Sequence, residues 1–483
     1  MNFKNVISIL GLLITLNGLF MFLGVPFSIY YEEDASPLLL SALICISLGL
    51  FLWLFYKQRS SNKELSNKDG YLVVTLGWIS MSLFGMLPFL ISGTIPSITD
   101  AFFETMSGFT TTGASILKDI EAVPKGILFW RSMTQWVGGM GIIVLTVALV
   151  SIIGVGGMQL FVAEAPGITP DKLKPRIKDT AKRLWLIYSG LTLSETAFLM
   201  FGDMSFFDAI NHSLTTMATG GFSTKNASMA HYQSPYIQYV IIVFMFLAGV
   251  NFTLTYFGLK LKFKKVWENE EFKAYVSTIV LFTIITTVGI SFFTDLPLEQ
   301  AFRDGAFQVV SVITTTGFIS ADYTSWAPIL TVLFFFFMFI GASAGSTAGG
   351  VKIVRHVILF KNSFLEMKRL LHPTSIIPVR LNKKAITQNI TFNVLAFIMI
   401  YISVFVFGSI AVSLTGVDFL TTIGAVATSL GNIGPGLGKV GPVDNFSDLP
   451  QIAKWILSGL MLLGRLELFT VLILFTPYFW RKV

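Results

Sequence analysis

The sequence contains 483 residues, of which 53% are apolar and 13% charged, and its formal net charge is +7. Soluble domains carry about a quarter charged residues, so this composition excludes a soluble globule, a disordered tail and a secreted disulfide scaffold. It indicates an all-α polytopic membrane protein, because a span takes about 20 apolar residues and the chain has room for about ten spans with their loops.

Ten apolar runs follow one another along the chain, and each predicts a membrane-spanning segment. The first run is too long for the core of a secretory signal peptide, so we interpret it as a span. The loops between the runs reach roughly 30 residues, which is too short for a separate catalytic domain. The runs lie near residues 6–30, 37–56, 71–92, 127–157, 183–202, 235–259, 274–293, 328–360, 387–413 and 452–479.

Lysine and arginine are concentrated in alternate loops. The basic clusters lie at residues 57–68, 172–183, 260–273 and 352–384, whereas acidic residues dominate the opposite side, as at 32–34. Short loops rich in lysine and arginine stay in the cytoplasm. We therefore expect a multi-pass protein with both termini cytoplasmic. This topology, together with contact to membrane lipid or an acidic partner, accounts for the basic charge without nucleic-acid binding.

Four loops on the acidic side share a Gly- and Thr-rich sequence, which indicates an internal repeat. Their central glycines are Gly113, Gly221, Gly317 and Gly434, separated by 108, 96 and 117 residues. Each unit is predicted to be a span, a short re-entrant segment and a second span. The predicted organisation is a two-span N-terminal addition at residues 1–66, followed by pore repeats at residues 67–160, 161–265, 266–375 and 376–483.

A residue that can cap the N-terminus of a helix lies thirteen positions before each of these glycines. The four residues are Asp100, Asp208, Asp304 and Thr421. The residues between cap and glycine suffice for a half-helix of two to three turns and a few extended residues. Each unit therefore predicts a capped half-helix that enters the membrane and a Gly-centred strand that returns. Such backbone is tolerated at that depth only where it lines water or is buried in protein.

Four half-helices that converge on one axis would present their negative ends to it, which favours a cation. Glycine accepts the backbone angles that aim successive carbonyls in one direction. A ring of carbonyls replaces the hydration shell of an ion, and hard oxygens suit alkali ions. The sequence therefore predicts a pore around one central axis with a filter for an alkali cation. The alternative is that these segments are ordinary Gly/Thr turns between spans.

Two motifs give the chain a family resemblance. They are Ser-Gly-Phe-Thr-Thr-Thr-Gly-Ala at residues 107–114 and Gly-Ala-Ser-Ala-Gly-Ser-Thr-Ala-Gly-Gly at residues 341–350. Combined with four repeats, they make the chain similar to the Trk/Ktr/HKT superfamily of potassium transporters, and the two extra N-terminal spans resemble its TrkH-type members. The resemblance covers residues 2–480.

The resemblance implies potassium uptake across the bacterial cytoplasmic (inner) membrane through one central pathway per chain. It also implies a homodimer and a cytosolic regulatory ring of the TrkA type. Potassium would be the transported ion, no covalent cofactor is expected, and a nucleotide would bind only through that partner subunit. The sequence lacks the G-x-x-x-x-G-K-[ST] phosphate-binding pattern, so the driving force is expected to be electrochemical.

By the same resemblance, three successive residues of each repeat form the potassium-binding filter. They are Thr111, Thr112 and Gly113; Thr219, Gly220 and Gly221; Thr315, Thr316 and Gly317; and Asn432, Ile433 and Gly434. Repeat two has glycine where repeats one and three have threonine, and repeat four has Asn-Ile before its glycine. These departures, and the single glycine per repeat, leave the selectivity for K⁺ over Na⁺ open.

The segment 341–350 contains only Gly, Ala, Ser and Thr and interrupts a long apolar run. We interpret it as an unwound loop that narrows the pore and moves on gating, with Gly341, Gly345, Gly349 and Gly350 as its flexible positions. The family has such an intramembrane loop here. The alternative is a tight helix–helix face, because the first three glycines are spaced four residues apart.

Arg465 lies within the last apolar run. A cation at mid-bilayer costs about 2.5–3.5 kcal/mol on insertion scales, so its side chain should face water, a carboxylate or carbonyls. The resemblance makes it a positive barrier beneath the filter and part of the gate. The alternative is a structural pair with Glu195 or Glu467.

The sequence leaves two alternatives to a potassium pore without coupling to another ion. Residues 341–345 match the G-x-S-x-G pattern of serine hydrolases. However, none of the four histidines is expected at the depth of Ser343, so an intramembrane protease lacks a base. Symport of potassium coupled to Na⁺ or H⁺ is the nearer alternative, although four parallel repeats favour a pore over an inverted-repeat carrier.

Overall fold

The computed structural model describes residues 2–57, 65–141, 177–372, 374–375 and 377–481, with the side chains of all but 177–180. Within these ranges the structure is helical except for loops and one hairpin, in which β1 (Arg380–Leu381) pairs antiparallel with β2 (Lys384–Ala385). The expected all-α architecture therefore holds apart from this two-residue hairpin.

The N-terminal helices are α1 (Phe3–Met21), α2 (Val25–Tyr30) and α3 (Ser36–Lys57). The first repeat contains α4 (Asn67–Gly85), α5 (Leu87–Ile91), α6 (Ile98–Phe109) and α7 (Lys125–Gly139). The second contains α8 (Ile177–Phe201), α9 (Phe206–Met217), α10 (Pro235–Ala248) and α11 (Phe252–Leu259). After α12 (Phe263–Trp267), the third contains α13 (Glu270–Phe293), α14 (Leu298–Ile313), α15 (Pro328–Phe337) and α16 (Ile353–Leu371). The fourth contains α17 (Gln388–Ser413), α18 (Phe419–Gly431), α19 (Gln451–Arg465), α20 (Phe469–Leu472) and α21 (Pro477–Trp480).

Six of the ten predicted spans are helices long and apolar enough to cross a membrane. They are Phe3–Tyr30, Ser36–Lys57, Asn67–Ile91, Ala181–Phe201, Glu270–Phe293 and Gln388–Ser413. The predicted spans at 235–259 and 452–479 are pairs of helices bent by 113° and 112°. The span predicted at 328–360 is split into α15 and α16. The span predicted at 127–157 contains most of α7, which ends at Gly139, and its residues 142–157 lie outside the described residues.

The second long element of each of repeats two, three and four is therefore broken, and the sequence reasoning anticipated only the break in repeat three. The bend in repeat two follows Ala248, and Asn251 caps the next helix by accepting from the N–H of Thr253 at 2.8 Å. The bend in repeat four lies at Glu467 and Leu468, which have φ values of 54° and 58°. L-residues rarely adopt this left-handed conformation, so the bend is a strained, specific feature.

Small residues let α1 and α3 touch backbone to backbone. A Cβ atom at Gly11 would approach the carbonyl oxygen of Gly49 to 2.7 Å, and one at Gly18 would approach that of Ala42 to 2.7 Å. Helices in lipid associate through such close contacts because no hydrophobic effect drives them together. This packing holds α1 and α3 together, and α1 also packs against α4.

The four short helices α6, α9, α14 and α18, here called the pore helices, occupy the predicted re-entrant positions. The predicted caps are wrong. Ser97, Ser205 and Asp418 cap the first, second and fourth pore helices, each accepting from the backbone N–H three residues later, at residues 100, 208 and 421. The third helix begins after Pro297 without a side-chain cap, and Asp304 lies in its second turn.

The reason for this error is that a cap and its partner position are both polar in such a sequence. The carboxylates of Asp100 and Asp208 lie in the first turn, where the positive end of the helix dipole stabilises them. Asp208 also accepts a hydrogen bond from the Ser205 hydroxyl at 2.9 Å. In repeats one, two and four, the position thirteen residues before the glycine is therefore in the first turn of the helix and is not the cap itself.

Burial separates the pore helices from the long helices. Almost every residue of the pore helices beyond the first turn is buried. The long helices expose large apolar side chains, such as Met399 at 72% and Phe407 at 70%. Apolar faces of this extent are stable only against lipid or another protein. The pore helices thus form the centre of the membrane protein, and the long helices surround them.

Candidate ion pathway

Each pore helix ends in the same backbone conformation. The residue two positions before each central glycine has a left-handed φ, with values of 55°, 52°, 56° and 54° at Thr111, Thr219, Thr315 and Asn432. The glycines themselves have φ values of 81°, 75°, 79° and 103° at Gly113, Gly221, Gly317 and Gly434. A left-handed L-residue costs about 1–2 kcal/mol. Its recurrence at four equivalent positions indicates a conformation that the fold requires.

Hydrogen bonds at the helix ends repeat in the same way. The N–H groups of Thr112, Gly220, Thr316 and Ile433 donate to the carbonyls of Ser107, Thr215, Ser311 and Thr428 at 2.9, 2.8, 2.8 and 3.0 Å. This six-to-one bond is the Schellman ending of a helix. It reverses the chain directly after the last turn, so the negative end of each pore helix lies within a few residues of its glycine.

The four glycines pack against one another's repeats in a closed ring. A Cβ atom added to any of them would collide with a carbonyl oxygen of a neighbouring repeat. Taken from repeat one to repeat four, the carbonyls that the glycines meet belong to Gly220, Thr316, Ile433 and Thr112. Because repeat four meets repeat one again, the segments encircle one axis. We call the segments 111–113, 219–221, 315–317 and 432–434 the filter ring.

Two cavities lie on opposite sides of the filter ring. The outer cavity, of about 220 Å³, is lined by the four central glycines and by the residues that follow them. The inner cavity, of about 180 Å³, is lined by residues 345–350, Lys352 and Arg465. The twelve residues predicted for the filter therefore come together at a constriction between two spaces. An ordinary set of surface turns would not have this arrangement.

Side chains form hydrogen bonds that hold the filter ring in place. Gln135 in α7 donates from Nε2 to the carbonyl of Gly220 at 2.6 Å, and its Oε1 accepts from the N–H of Phe222 at 3.0 Å. Asn432 donates to the Thr112 hydroxyl at 2.9 Å and so joins repeats four and one. The ring is thus held by contacts between repeats as well as by its own backbone.

The segment 338–352, here called the inner loop, is not helical. The interpretation of Gly341, Gly345 and Gly349 as a helix–helix face is therefore wrong. The loop is bonded to its surroundings: the N–H of Gly349 donates to the Thr315 hydroxyl at 2.7 Å, and the Thr347 hydroxyl donates to the carbonyl of Met217 at 3.0 Å. The loop consequently lies directly against the inner face of the filter ring.

Arg465 joins the inner loop to the filter ring. Its Nη1 donates to the Thr347 carbonyl at 2.6 Å and to the Thr111 hydroxyl at 3.1 Å. Its Nη2 donates to the carbonyls of Gly138 and Gly139 at 2.7 and 2.9 Å. Arg465 thus satisfies its donors with carbonyl and hydroxyl oxygens, as the cost of a charge at this depth requires.

The two carboxylates predicted as alternative partners of Arg465 lie in different surroundings. Glu467 forms an ion pair with Arg355 in α16. Glu195 in α8 is fully buried, and both its carboxyl oxygens lack a hydrogen-bond partner in the described part of the chain. The guanidinium of Arg465 is therefore bonded to oxygens of the filter ring, the inner loop and the end of α7.

A scan against protein families and two searches for relatives agree on the class of protein. A family model described as "TrkH: Cation transport protein" matches residues 38–279 and 272–482. The Trk system potassium uptake protein TrkH of Escherichia coli (strain K12) is 42% identical, with all of both chains covered. The chain belongs to the TrkH family. The TrkH protein of Halomonas elongata is 38% identical, again over all of both chains.

A solved relative within the TrkH family has the same overall structure. The crystal structure of the potassium transporter TrkH from Vibrio parahaemolyticus matches with a TM-score of 0.89 and 38% identity, and covers all of both chains. The family resemblance predicted from residues 107–114 and 341–350 is confirmed, and so is the fold class of an all-α polytopic membrane protein.

The serine hydrolase alternative does not survive this comparison, because the TrkH relatives are named as transporters. The hydroxyl of Ser343 is buried without a hydrogen-bond partner in the described part of the chain. The buried His212 contacts the Asp208 carbonyl and the Ser223 hydroxyl, and the half-buried His356 contacts the Phe339 carbonyl. Ser343, the serine of the G-x-S-x-G pattern, therefore has no histidine partner among the described residues.

Sequence reasoning missed two charged residues at the inner loop of this TrkH family member, one at its end and one that contacts it. Lys352 is buried, lines the inner cavity and donates to the Ala348 carbonyl. Glu271 at the start of α13 accepts from the N–H of Ala344 at 2.6 Å. A signal for Lys352 was present, since a lysine inside the apolar run 328–360 must find a partner. Gln135 gave no signal, because a single glutamine in a helix has many uses.

Proposed function

We propose that this protein carries K⁺ into the cell through the filter ring, with the backbone carbonyls of its twelve residues as ligands. The observation that carries the proposal is the closed ring of four Gly-centred segments between two cavities. The relatives named above are potassium uptake proteins and a potassium transporter, which supports the same ion here. Potassium is the cargo of this site and not a resident cofactor.

The chemistry follows from charge and hydration. Four helix ends direct their negative dipoles at the ring, which offsets part of the cost of removing water from a cation. Carbonyl oxygens replace the lost water ligands. A membrane potential that is negative inside supplies about 2.3 kcal/mol per charge per 100 mV, which draws cations inward. No covalent step and no covalent cofactor is needed.

The inner loop and Arg465 are proposed to form the gate. Below the ring, the loop and the guanidinium occupy the pathway, and the bond from Arg465 to the Thr347 carbonyl holds them together. Opening requires this bond and the bond from Gly349 to Thr315 to break. Gly345 and Gly350 have φ values of 72° and 64°, so glycine is needed for the closed shape of the loop. Gly341 and Gly349 provide further flexible positions.

The wider setting is proposed to be a homodimer in the bacterial inner membrane, with both termini cytoplasmic. A cytosolic TrkA-type ring that binds nucleotide would regulate the inner loop. The relatives are named as parts of a Trk system, which supports a regulatory partner. The far end of α16 exposes Phe364, Leu370 and Leu371 at 65%, 75% and 77%, a surface that suits a second chain.

Proton-coupled symport is the second candidate function, and Glu195 is the observation that favours it. Its buried carboxyl has no hydrogen-bond partner among the described residues and lies on a helix that packs against the second pore helix. Reversal potentials measured in opposed K⁺ and pH gradients separate the two functions. A potential that follows the K⁺ gradient alone supports the pore, and one that follows both gradients supports symport.

Ion flux from the purified protein in liposomes tests the proposal. K⁺, Rb⁺, Na⁺ and Li⁺ are compared in the native protein and in Gly317→Ala, whose added Cβ would collide with the carbonyl of Ile433. The matched control is Gly459→Ala, since Gly459 has open space around it. Loss of K⁺ flux in Gly317→Ala alone supports the filter ring. Equal flux in both variants contradicts it.

A further inference from the structure

A polar side chain on three of the pore helices reaches past the filter ring. It stands nine residues before the central glycine and contacts a serine just after that glycine. Glu104 accepts from the Ser115 hydroxyl at 3.0 Å, His212 contacts the Ser223 hydroxyl at 2.9 Å, and Gln308 donates to the Ser320 hydroxyl at 3.3 Å. In repeat four the equivalent position holds Ala425. In repeats one to three, these contacts tie the pore helix to its own returning strand, the segment that follows the central glycine.

Repeat one differs because its tie is charged. Glu104 and Arg131 form an ion pair of 2.7 Å in which the side chains are 0% and 2% exposed. The other oxygen of Glu104 accepts from the N–H of Ile116 at 2.8 Å. Removing two charges from water is costly unless geometry and further hydrogen bonds compensate. A hydrophobic pair of similar volume would stabilise the fold equally well. The ion pair therefore indicates that the position of these two side chains has to be fixed.

Arg131 extends the tie to repeat two. Its Nη1 donates to the Ser223 carbonyl at 3.0 Å, and its Nη2 donates to the Ser115 hydroxyl at 3.1 Å. Its guanidinium carbon lies 3.6 Å from the centre of the Phe222 ring. The planar guanidinium group of Arg131 thus contacts Ser223, Ser115 and Phe222 at once, which the flexible ammonium group of a lysine cannot reproduce.

Each neighbouring pair of returning strands is joined in some way. The N–H of Ala230 donates to the Ile319 carbonyl at 2.9 Å between repeats two and three, and the Tyr323 hydroxyl donates to the Gly436 carbonyl at 2.9 Å between three and four. The N–H of Phe446 donates to the Ser115 carbonyl at 2.8 Å between four and one. Between repeats one and two, Asn226 makes exposed hydrogen bonds to Asp119, Ile120 and Glu121, and Arg131 adds a buried bond to the Ser223 carbonyl next to the filter ring.

We propose that Glu104 and Arg131 are positioning residues that set the K⁺ over Na⁺ selectivity of the filter ring. They fix the distance between the strands that follow Gly113 and Gly221, and so prevent the ring from contracting around a smaller, more strongly hydrated ion. The inference rests on the proposed filter. The ion pair would make the filter ring rigid, although each repeat contributes only one central glycine to it.

The test measures the Na⁺/K⁺ permeability ratio from reversal potentials of the purified full-length protein in liposomes. Arg131→Gln alone would leave a buried carboxylate unpaired and could fail to fold, so the decisive variant is the neutral pair Glu104→Gln with Arg131→Gln. We expect it to conduct K⁺ with a permeability ratio about tenfold higher, the scale of one charge-assisted hydrogen bond. The matched control neutralises a partly exposed ion pair of α16, Arg369→Gln with Glu366→Gln, and should keep the native ratio.

Arg131→Lys is the second arm and separates positioning from folding. Lysine retains the charge beside Glu104 but loses the fork that reaches Ser223 and Ser115. We expect a folded protein with a melting temperature lowered by the lost hydrogen bonds and a raised permeability ratio. A folded variant of either kind with an unchanged ratio overturns the inference, and if the double variant does not fold, Arg131→Lys decides alone. The proposed filter fails separately, through unchanged K⁺ flux in Gly317→Ala.

Discussion

The Nη1 of Arg465 lies 2.6 Å from the carbonyl oxygen of Thr347, so a cation at the end of α19 holds the inner loop beneath the filter ring. The same nitrogen donates to the Thr111 hydroxyl at 3.1 Å. One side chain therefore contacts both the proposed gate and the proposed filter. The two bonds connect repeat four with repeats one and three, so the closed pathway depends on segments from three repeats.

Replacement of Arg465 by alanine should raise K⁺ leak through the protein alone. Hydrogen bonds to a charged group contribute about 1.5–3 kcal/mol, which corresponds to roughly a tenfold or larger rise in the open population. K⁺ efflux from liposomes measures this, with Arg481→Ala at the exposed C-terminal end as control. An unchanged leak in Arg465→Ala would mean that the guanidinium is not a barrier.

Gly349→Ala should also favour the open state. A Cβ atom there would lie 2.7 Å from the Cβ of Asn432 and 2.8 Å from the Gly431 carbonyl, so it disfavours the present position of the inner loop. Overpacking of about 1–3 kcal/mol corresponds to roughly tenfold in the closed–open equilibrium. The same efflux assay measures it, beside Gly190→Ala in open space. Slower efflux than in the native protein would argue against a moving loop.

Gly113→Ala should reduce K⁺ flux instead, because its Cβ would collide with the Gly220 carbonyl in the filter ring. The overpacking cost of about 1–3 kcal/mol predicts roughly a tenfold or greater loss of conducting protein. Rb⁺ uptake into K⁺-loaded liposomes measures the effect, with Gly258→Ala as the control whose added atom meets nothing. Native uptake in Gly113→Ala would remove repeat one from the filter.

Glu467→Gln should destabilise the fold by about 3–5 kcal/mol, because it leaves Arg355 charged and without its ion-pair partner at a site that is 8% exposed. Thermal unfolding in detergent should show a lower midpoint. The control is Glu366→Gln, which breaks the more exposed Arg369–Glu366 pair and should cost less than about 1 kcal/mol. Equal midpoints in the two variants would show that the buried pair contributes nothing.

Asp418→Ala should cost about 1 kcal/mol by removing the cap of the fourth pore helix. The N–H of Thr421 bonds to this carboxylate and lowers the pKa of Asp418 below its ordinary value. A lowered pKa means that the cap contributes fully above the unfolded pKa, about 3.9, and is lost only as pH falls through the folded value. The difference in melting midpoint between variant and native protein should therefore be constant from pH 5 to 8 and shrink near pH 3.

The membrane class, the repeats and the pore helices could be predicted from sequence because each depends on local composition and spacing. The linear sequence shows apolar runs of span length, Gly113 with its three counterparts, and the small-residue run at 341–350. The caps were misplaced because Ser97 and Asp100 are both polar residues of a kind found at helix starts, and only backbone geometry tells them apart. The bends after Ala248 and Arg465 were not predicted because each run has the length of a single span, although Asn251 and Glu467 are polar residues that stand at the breaks.

Sequence by itself determined that this chain lies in a membrane and contains four similar re-entrant units, because hydropathy and helix-ending glycines act over neighbouring residues. Only the tertiary structure decided that the four units close into a ring, that Arg465 bonds to the inner loop, and that Arg131 bridges two returning strands. These contacts join residues that are tens to hundreds of positions apart. Their partners are chosen by how the helices pack, and no local pattern records that choice.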